Sequence, residues 1–154
     1  MGEARDAGRA VKVERTTKVA ASPRRLYDVV MDPSRLEDWV TIHQELEGSP
    51  PSPLKRGSRL TQSLKVAGKR FKVHWTVVEN DPCKRVVWEG KGPVASHARV
   101  EYRFEGDGDQ TKFSYLNEYD LPGGALGRLA GKAVARVTQK ELDGSLQRLK
   151  SLVE

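Results

Sequence analysis

Alternation is the first pattern along the chain. Val11, Val13, Thr17 and Val19 interleave with Lys12, Glu14, Thr16 and Lys18, the period of two expected of a half-buried strand, with Arg15 on the apolar parity. Ser22-Pro23 then supplies a helix N-cap and a first-turn proline, and Leu26, Val29 and Val30 predict a short helix over 23–31. Asp32-Pro33 repeats that punctuation for a second short helix, 33–38, which runs into Trp39-Val40-Thr41-Ile42-His43 with Trp39 and Ile42 as anchors. Prolines 50, 51 and 53 keep Gly48 to Gly57 a loop. Beyond it Leu60, Gln62, Leu64 and Val66 share one parity, as do Phe71, Val73, Trp75 and Val77 in the next run. Val86 and Trp88 mark a shorter strand, Ala98, Val100, Tyr102 and Phe104 another, and Thr111, Phe113, Tyr115, Asn117 and Tyr119 the last.

The period then changes from two to 3.6. Leu121-Pro122-Gly123-Gly124 stops the last strand, and Ala125 to Val153 is free of proline, with apolar residues recurring at helical spacing from Leu126 to Val153. A helix of about 29 residues spans roughly 43 Å, long for a domain of this size. Its apolar stripe does not stay on one side. Leu126, Leu129, Ala133 and Val137 cluster around one direction and Leu142, Ser145, Leu149 and Leu152 around another. Either the helix kinks between Val137 and Leu142 or its halves face different partners. Small residues in the first half, such as Gly127, Ala130 and Gly131, fit the roof of a cavity better than a close-packed core.

These elements predict an α+β fold in which a curved antiparallel sheet of about six strands wraps over one long C-terminal helix, with two short helices after the first strand. A curved sheet over a single helix leaves a hollow unless large side chains fill it. With 154 residues and 37% apolar content, 11–154 suits a single domain behind a disordered lead, 1–10. There is no apolar run near the roughly 20 residues of a membrane span and no signal-peptide centre, which points to the cytoplasm. Net charge is +6, and Arg128, Lys132, Arg136 and Lys140 recur every four residues as a basic ridge on the long helix. That ridge is a solvated face or, through Arg128, Lys132 and Arg136, a contact for an anionic surface such as membrane or RNA.

The ordered set of motifs resembles a known group. Asp32-Pro33 to Trp39, Asp81-Pro82 leading to Val87-Trp88-Glu89-Gly90, the Gly108 to Thr111 hairpin, and Ser145-Leu146 with Leu149-Lys150 look together like the SRPBCC superfamily over residues 11–153. This helix-grip group includes StAR-related (START) lipid-transfer domains, the birch pollen allergen family and, most similar here, the polyketide cyclase/dehydrase family. Trp39 to His43 also resembles a bacterial, actinobacterial subgroup, some of whose members are labelled toxins. The resemblance implies an internal apolar cavity and leaves the activity open.

Chemistry-bearing signatures are few. There is no nucleophile motif, phosphate loop or metal-ligand spacing, so no metal and no cofactor is expected. Cys83 sits alone in a turn. His74 and His97 fall on the outward parity, whereas His43 lies beside Trp39, where the family narrows the cavity mouth, and is the candidate general base. Arg15, Gln62 and Asn117 are polar residues on apolar parities; with Trp39, Trp75, Trp88, Tyr102, Tyr115 and Tyr119 they compose an apolar pocket with a few polar guides. The leading expectation is binding or transport of a hydrophobic small molecule, a lipid, isoprenoid or polyketide-like ring. A cyclase/dehydrase-type enzyme is the alternative, and a toxin-like factor docking on RNA or ribosomes a second one. No carboxylate is evident beside His43 or the tyrosines, which favours binding over catalysis.

Overall fold

The computed structural model describes residues 10–66, 68–93, 95–120 and 125–154, with side chains for all of these except 10, 125–131 and 134. Residues 1–9 of the expected lead and the Leu121–Gly124 stop lie outside the described residues, while Ala10, counted with that lead, opens the first strand. Strand β1 (Ala10–Val19) is followed by α1 (Pro23–Val30), a 3-10 turn (Pro33–Arg35) and α2 (Leu36–Trp39). Then come β2 (His43–Leu46), β3 (Arg59–Val66), β4 (Lys69–Asp81), β5 (Arg85–Lys91), β6 (His97–Asp107), β7 (Gln110–Asp120) and α3 (Ala125–Val153). Local chemistry sets the helix starts. Ser22 Oγ accepts from Arg25 N–H and Asp32 Oδ1 from Ser34 N–H, each ahead of a proline in the first turn.

The sheet has seven strands in the order β1-β7-β6-β5-β4-β3-β2, antiparallel at every ladder. The seventh is β2, a four-residue edge strand that grows out of the Trp39–His43 segment and pairs with β3 through an irregular register. Its sequence, His-Gln-Glu-Leu, has too little apolar alternation to announce a strand. The Gly48–Gly57 loop after it is tied to the core by Leu54, 1% exposed, whose N–H donates to Met31 C=O.

One face of the sheet holds the core, against which α1, α2 and α3 pack. On α3, Thr138, Glu141, Leu142, Ser145, Leu146, Leu149 and Val153 are buried, a continuous stripe at spacings of three and four. The far end of the helix is locked by Arg25 Nε donating to Val153 C=O (2.8 Å). The helix runs through the change of stripe direction as a single element, and Ala133, of the expected first-half apolar face, is exposed. Losing Leu142 or Leu149, each fully buried, to alanine would cost about 2–5 kcal/mol.

Candidate functional site

Strand register explains why so many rings meet on the inner face. In one cross-strand row Leu60, Trp75, Gly90, Ala98 and Tyr119 stand side by side, and in the next Val77, Trp88, Val100 and Asn117. A third row holds Val86, Tyr102, Tyr115 and Arg15. The small residue beside Trp75 in the first row has a reason. The Trp75 ring lies over Gly90, where a Cβ would come within 2.7 Å of it. Tyr102 is the hub, with ring centroids 5.2 Å from Tyr115, 5.8 Å from Trp88 and 6.0 Å from Trp39. Trp39 arrives from α2, fully buried, and lies 5.7 Å from Tyr115 as well.

Between these rings, Val40 and Ile42 remains a cavity of about 30 Å³. That is room for about one water molecule. Gln62, Trp75, Trp88, Tyr102, Tyr115, Asn117 and Tyr119 all line it. The side-chain positions of Gly127, Ala130 and Gly131, expected to roof the hollow, lie outside the described residues; among the described ones, aromatic rings take up most of the inner face around this cavity.

Two polar systems reach into this wall. In the first, Trp75 Nε1–H donates to Gln62 Oε1 (2.9 Å), which turns the Gln62 amide nitrogen toward His43 Nδ1 at 2.8 Å. Since that nitrogen can only donate, His43 Nδ1 accepts, and the imidazole is neutral with its proton on Nε2. Half-burial pushes the His43 pKa down, with Glu37 a weaker opposing influence, in keeping with a neutral ring.

The second system is centred on Glu141, 6% exposed. Ser145, one turn on, and Thr41, just past α2, both donate hydroxyls to Glu141 Oε1, and Thr41 N–H donates to Ser145 Oγ (3.1 Å). Gly144 permits this approach, since a Cβ there would lie 3.2 Å from Thr41 Cγ2. No cation offsets the carboxylate among these contacts, so burial raises its pKa, with the Ser145 and Thr41 bonds opposing. Burial and, next, the charge of Glu141 push Tyr102, Tyr115 and Tyr119 well above the ordinary phenol range, so the phenols stay protonated. A carboxyl thus lies within electrostatic reach of the tyrosines that line the cavity, where none was expected. Its sequence signal was the row Thr138, Glu141, Ser145, polar residues at helical spacing within a buried stripe.

Around this wall four buried side-chain atoms have no hydrogen-bond partner among the described residues: Trp39 Nε1, Trp88 Nε1, Asn117 Oδ1 and Glu141 Oε2. Each such group costs about 1–3 kcal/mol, so a cluster of them points to something bound there, water included.

The expected site residues divide accordingly. Seven line the cavity, and Trp39 backs it. Arg15 is a correction. It occupies the inward parity beside Tyr115, but its guanidinium swings out to Asp143 (3.0 Å) and its side chain is 37% exposed. His43 stands one residue behind the wall, joined to it by Gln62 and absent from the lining. His74 and His97 face outward, and His74 Nδ1 lies 2.9 Å from Thr61 Oγ1. Lys132, Arg136 and Lys140 are exposed, while the Arg128 side chain lies outside the described residues.

A larger concavity, about 1270 Å³, is an open trough on the other face of the sheet. Its floor alternates charge across strands, Glu89 beside Arg99 beside Glu118. Small-molecule sites bury most of their ligand among apolar walls, so the aromatic cavity and not this trough is the candidate site. Among the described residues, no group of three or more potential metal ligands comes together and no helix is long and apolar enough to cross a membrane.

An apolar cavity on the inner face of a seven-stranded sheet, the face against which the long C-terminal helix packs, defines a helix-grip protein. A model of the family described as polyketide cyclase / dehydrase and lipid transport matches residues 10–154, and the chain belongs to that family, within the SRPBCC superfamily. Among its relatives, Uncharacterized protein Rv1546 of Mycobacterium tuberculosis is 27% identical over 140 residues, 91% of this chain and 96% of the relative. The fold is shared with the protein TTHA0849 from Thermus thermophilus (TM-score 0.76, 20% identity, 91% and 94% of the two chains). It is shared also with the Zhui aromatase/cyclase from Streptomyces sp. R1128 (TM-score 0.71, 16% identity, 92% of each chain).

Proposed function

We propose that this ligand-binding SRPBCC protein takes up a hydrophobic small molecule between the inner face of the sheet and α3. The observation that carries the reading is the pairing of an aromatic wall with buried polar atoms that no protein group satisfies. A core selected for stability alone would satisfy them or replace them with apolar groups. Because the cavity holds only about 30 Å³, binding requires the wall to open. Part of the binding free energy is then spent on repacking rings. All three tryptophans lie on this wall and are at most 4% exposed, so they report on it directly. Titration with naphthalene is expected to quench tryptophan fluorescence saturably at one molecule per chain. A linear, unsaturable response would contradict the reading.

A second reading, an enzyme of the cyclase/dehydrase type, is supported by Glu141. A buried carboxyl among protonated tyrosines is suited to moving a proton to or from a carbonyl chain folded in the cavity. Its signature is turnover of a poly-β-carbonyl thioester that Glu141→Gln abolishes while binding persists. The basic ridge has support only from the exposure of Lys132, Arg136 and Lys140, which suits solvation equally well.

A further inference from the structure

The unsatisfied atoms have a definite chemistry. Asn117 Nδ2 is directed to Tyr119 Oη at 3.3 Å, which leaves Oδ1, an acceptor, buried without a donor. Glu141 has Oε1 occupied by two hydroxyl donors and Oε2 unpartnered. Both residues are more than nine-tenths buried. Asn117 lines the cavity, and Glu141 accepts a hydrogen bond from Thr41, which stands in the chain between the lining residues Val40 and Ile42. The Trp88 indole adds an unused donor two strands from Asn117 in the same cross-strand row.

Among the described residues no cation balances these acceptors within the cavity. Among the described lining residues there is neither Arg nor Lys, and Arg15, the basic residue on the inward parity, spends its guanidinium on Asp143 at the rim. The outer face shows the opposite provision, with Arg85, Arg99 and Arg103 all on Glu101. Among the described residues, the cations that could have received an acidic ligand are thus placed away from the cavity.

We infer that Asn117 and Glu141 form the polar end of the internal site and select an uncharged ligand carrying a hydroxyl group over a carboxylate-bearing ligand of the same shape. The inference rests on the reading of the cavity as a small-molecule site. A hydroxyl both donates and accepts. With Glu141 protonated on Oε2, the hydroxyl donates to Asn117 Oδ1 and accepts from Oε2–H; with Oε2 ionised, the hydroxyl's single proton goes to one of the two oxygens, and in either state the Trp88 N–H supplies a donor to the ligand oxygen. A carboxylate has only acceptors to offer, so it would face Asn117 Oδ1 unpaired and bring a second negative charge beside Glu141 in a desolvated space.

Three probes of one shape test this: 2-naphthol, naphthalene and 2-naphthoate, titrated by calorimetry and tryptophan fluorescence into the wild-type chain and its Glu141→Gln, Glu141→Leu and Asn117→Leu variants. The wild type is expected to bind 2-naphthol roughly tenfold more tightly than naphthalene, the scale of one net hydrogen bond, and 2-naphthoate more weakly than 2-naphthol by at least as much. Glu141→Leu and Asn117→Leu are each expected to reduce the preference for the hydroxyl to within about twofold while naphthalene binding persists. Glu141→Gln keeps an acceptor for Ser145 and Thr41 and guards against misfolding of the leucine variant. It should restore tolerance of 2-naphthoate. Equal binding of the three probes, tightest binding of 2-naphthoate, or a hydroxyl preference that survives in the variants overturns the selectivity and leaves the cavity reading standing. Failure of all three probes to bind overturns both.

Discussion

Glu101 and Glu141 are two carboxyls at nearly the same burial, 4% and 6% exposed, on opposite sides of one sheet, and they titrate in opposite directions. Glu101 stands in an outer-face row between Val87 and Leu116 and is ringed by Arg85, Arg99 and Arg103. Their hydrogen bonds and charges outweigh burial and hold its pKa down at about 2. Glu141 is met by the hydroxyls of Thr41 and Ser145 and, among the described residues, by no cation, and burial raises it. Burial alone therefore does not distinguish structure from function. What distinguishes them is whether the protein has completed the group's partners, and at Glu141 it has not.

The largest expected effect separates the two sites outright. Glu101→Leu leaves three arginines crowded without a counter-charge and should destabilise the fold by about 2–3 kcal/mol, the low end for breaking a buried ion pair because the arginines are partly exposed. The check is a urea midpoint. A loss below about 0.5 kcal/mol would mean that Glu101 is no more structural than a surface charge. Gln62→Leu is next, at about 1–2 kcal/mol of lost stability, since it orphans the Trp75 N–H and frees His43. Smaller still, Glu141→Leu should stay within about 1 kcal/mol of wild type or be more stable, because it removes a desolvated carboxyl that lacks a cation. A loss of about 3 kcal/mol there would mark Glu141 as structural and end the contrast.

The pH dependence sharpens the same contrast. Glu101 has a folded pKa below its ordinary 4.5, so its contribution is present above pH 4.5 and is lost as pH falls toward 2. Glu141 has a raised folded pKa, so its contribution is complete below pH 4.5 and declines as pH rises through the folded value. Denaturation midpoints across pH should show Glu101→Gln flattening the acid side alone and Glu141→Gln flattening the side above pH 4.5 alone. Interchanged or unchanged slopes would refute the assignment.

Much of this is legible in the chain. Strict alternation identifies the inward positions of β3 to β7, and Gln62, Trp75, Trp88, Tyr102, Tyr115, Asn117 and Tyr119 duly surround one cavity. Alternation names the face on which a residue starts, not where a long side chain ends, which is why Arg15 proves a rim residue. Strand β2 is silent in the sequence because its pairing comes from the edge of β3 and not from its own pattern. Glu141 reads with Asp143 as the end of the basic ridge, although it shares its helical face with Thr138 and Ser145. Nor does periodicity measure volume, so the degree to which Trp39, Trp88, Tyr102 and Tyr115 close the hollow emerges only from their packing.

The central claim is that a small molecule enters the aromatic cavity, although the trough on the other face is far larger. The most direct measurement is a two-dimensional nitrogen–proton NMR titration of the chain with 2-naphthol, following its three indole N–H resonances. If the cavity is the site, the free indoles of Trp39 and Trp88 shift strongly, the Trp75 indole held by Gln62 moves less, and the amides of Glu89, Arg99 and Glu118 stay in place. Shifts confined to Glu89, Arg99, Glu118 and their neighbours, with the three indoles unmoved, would contradict it.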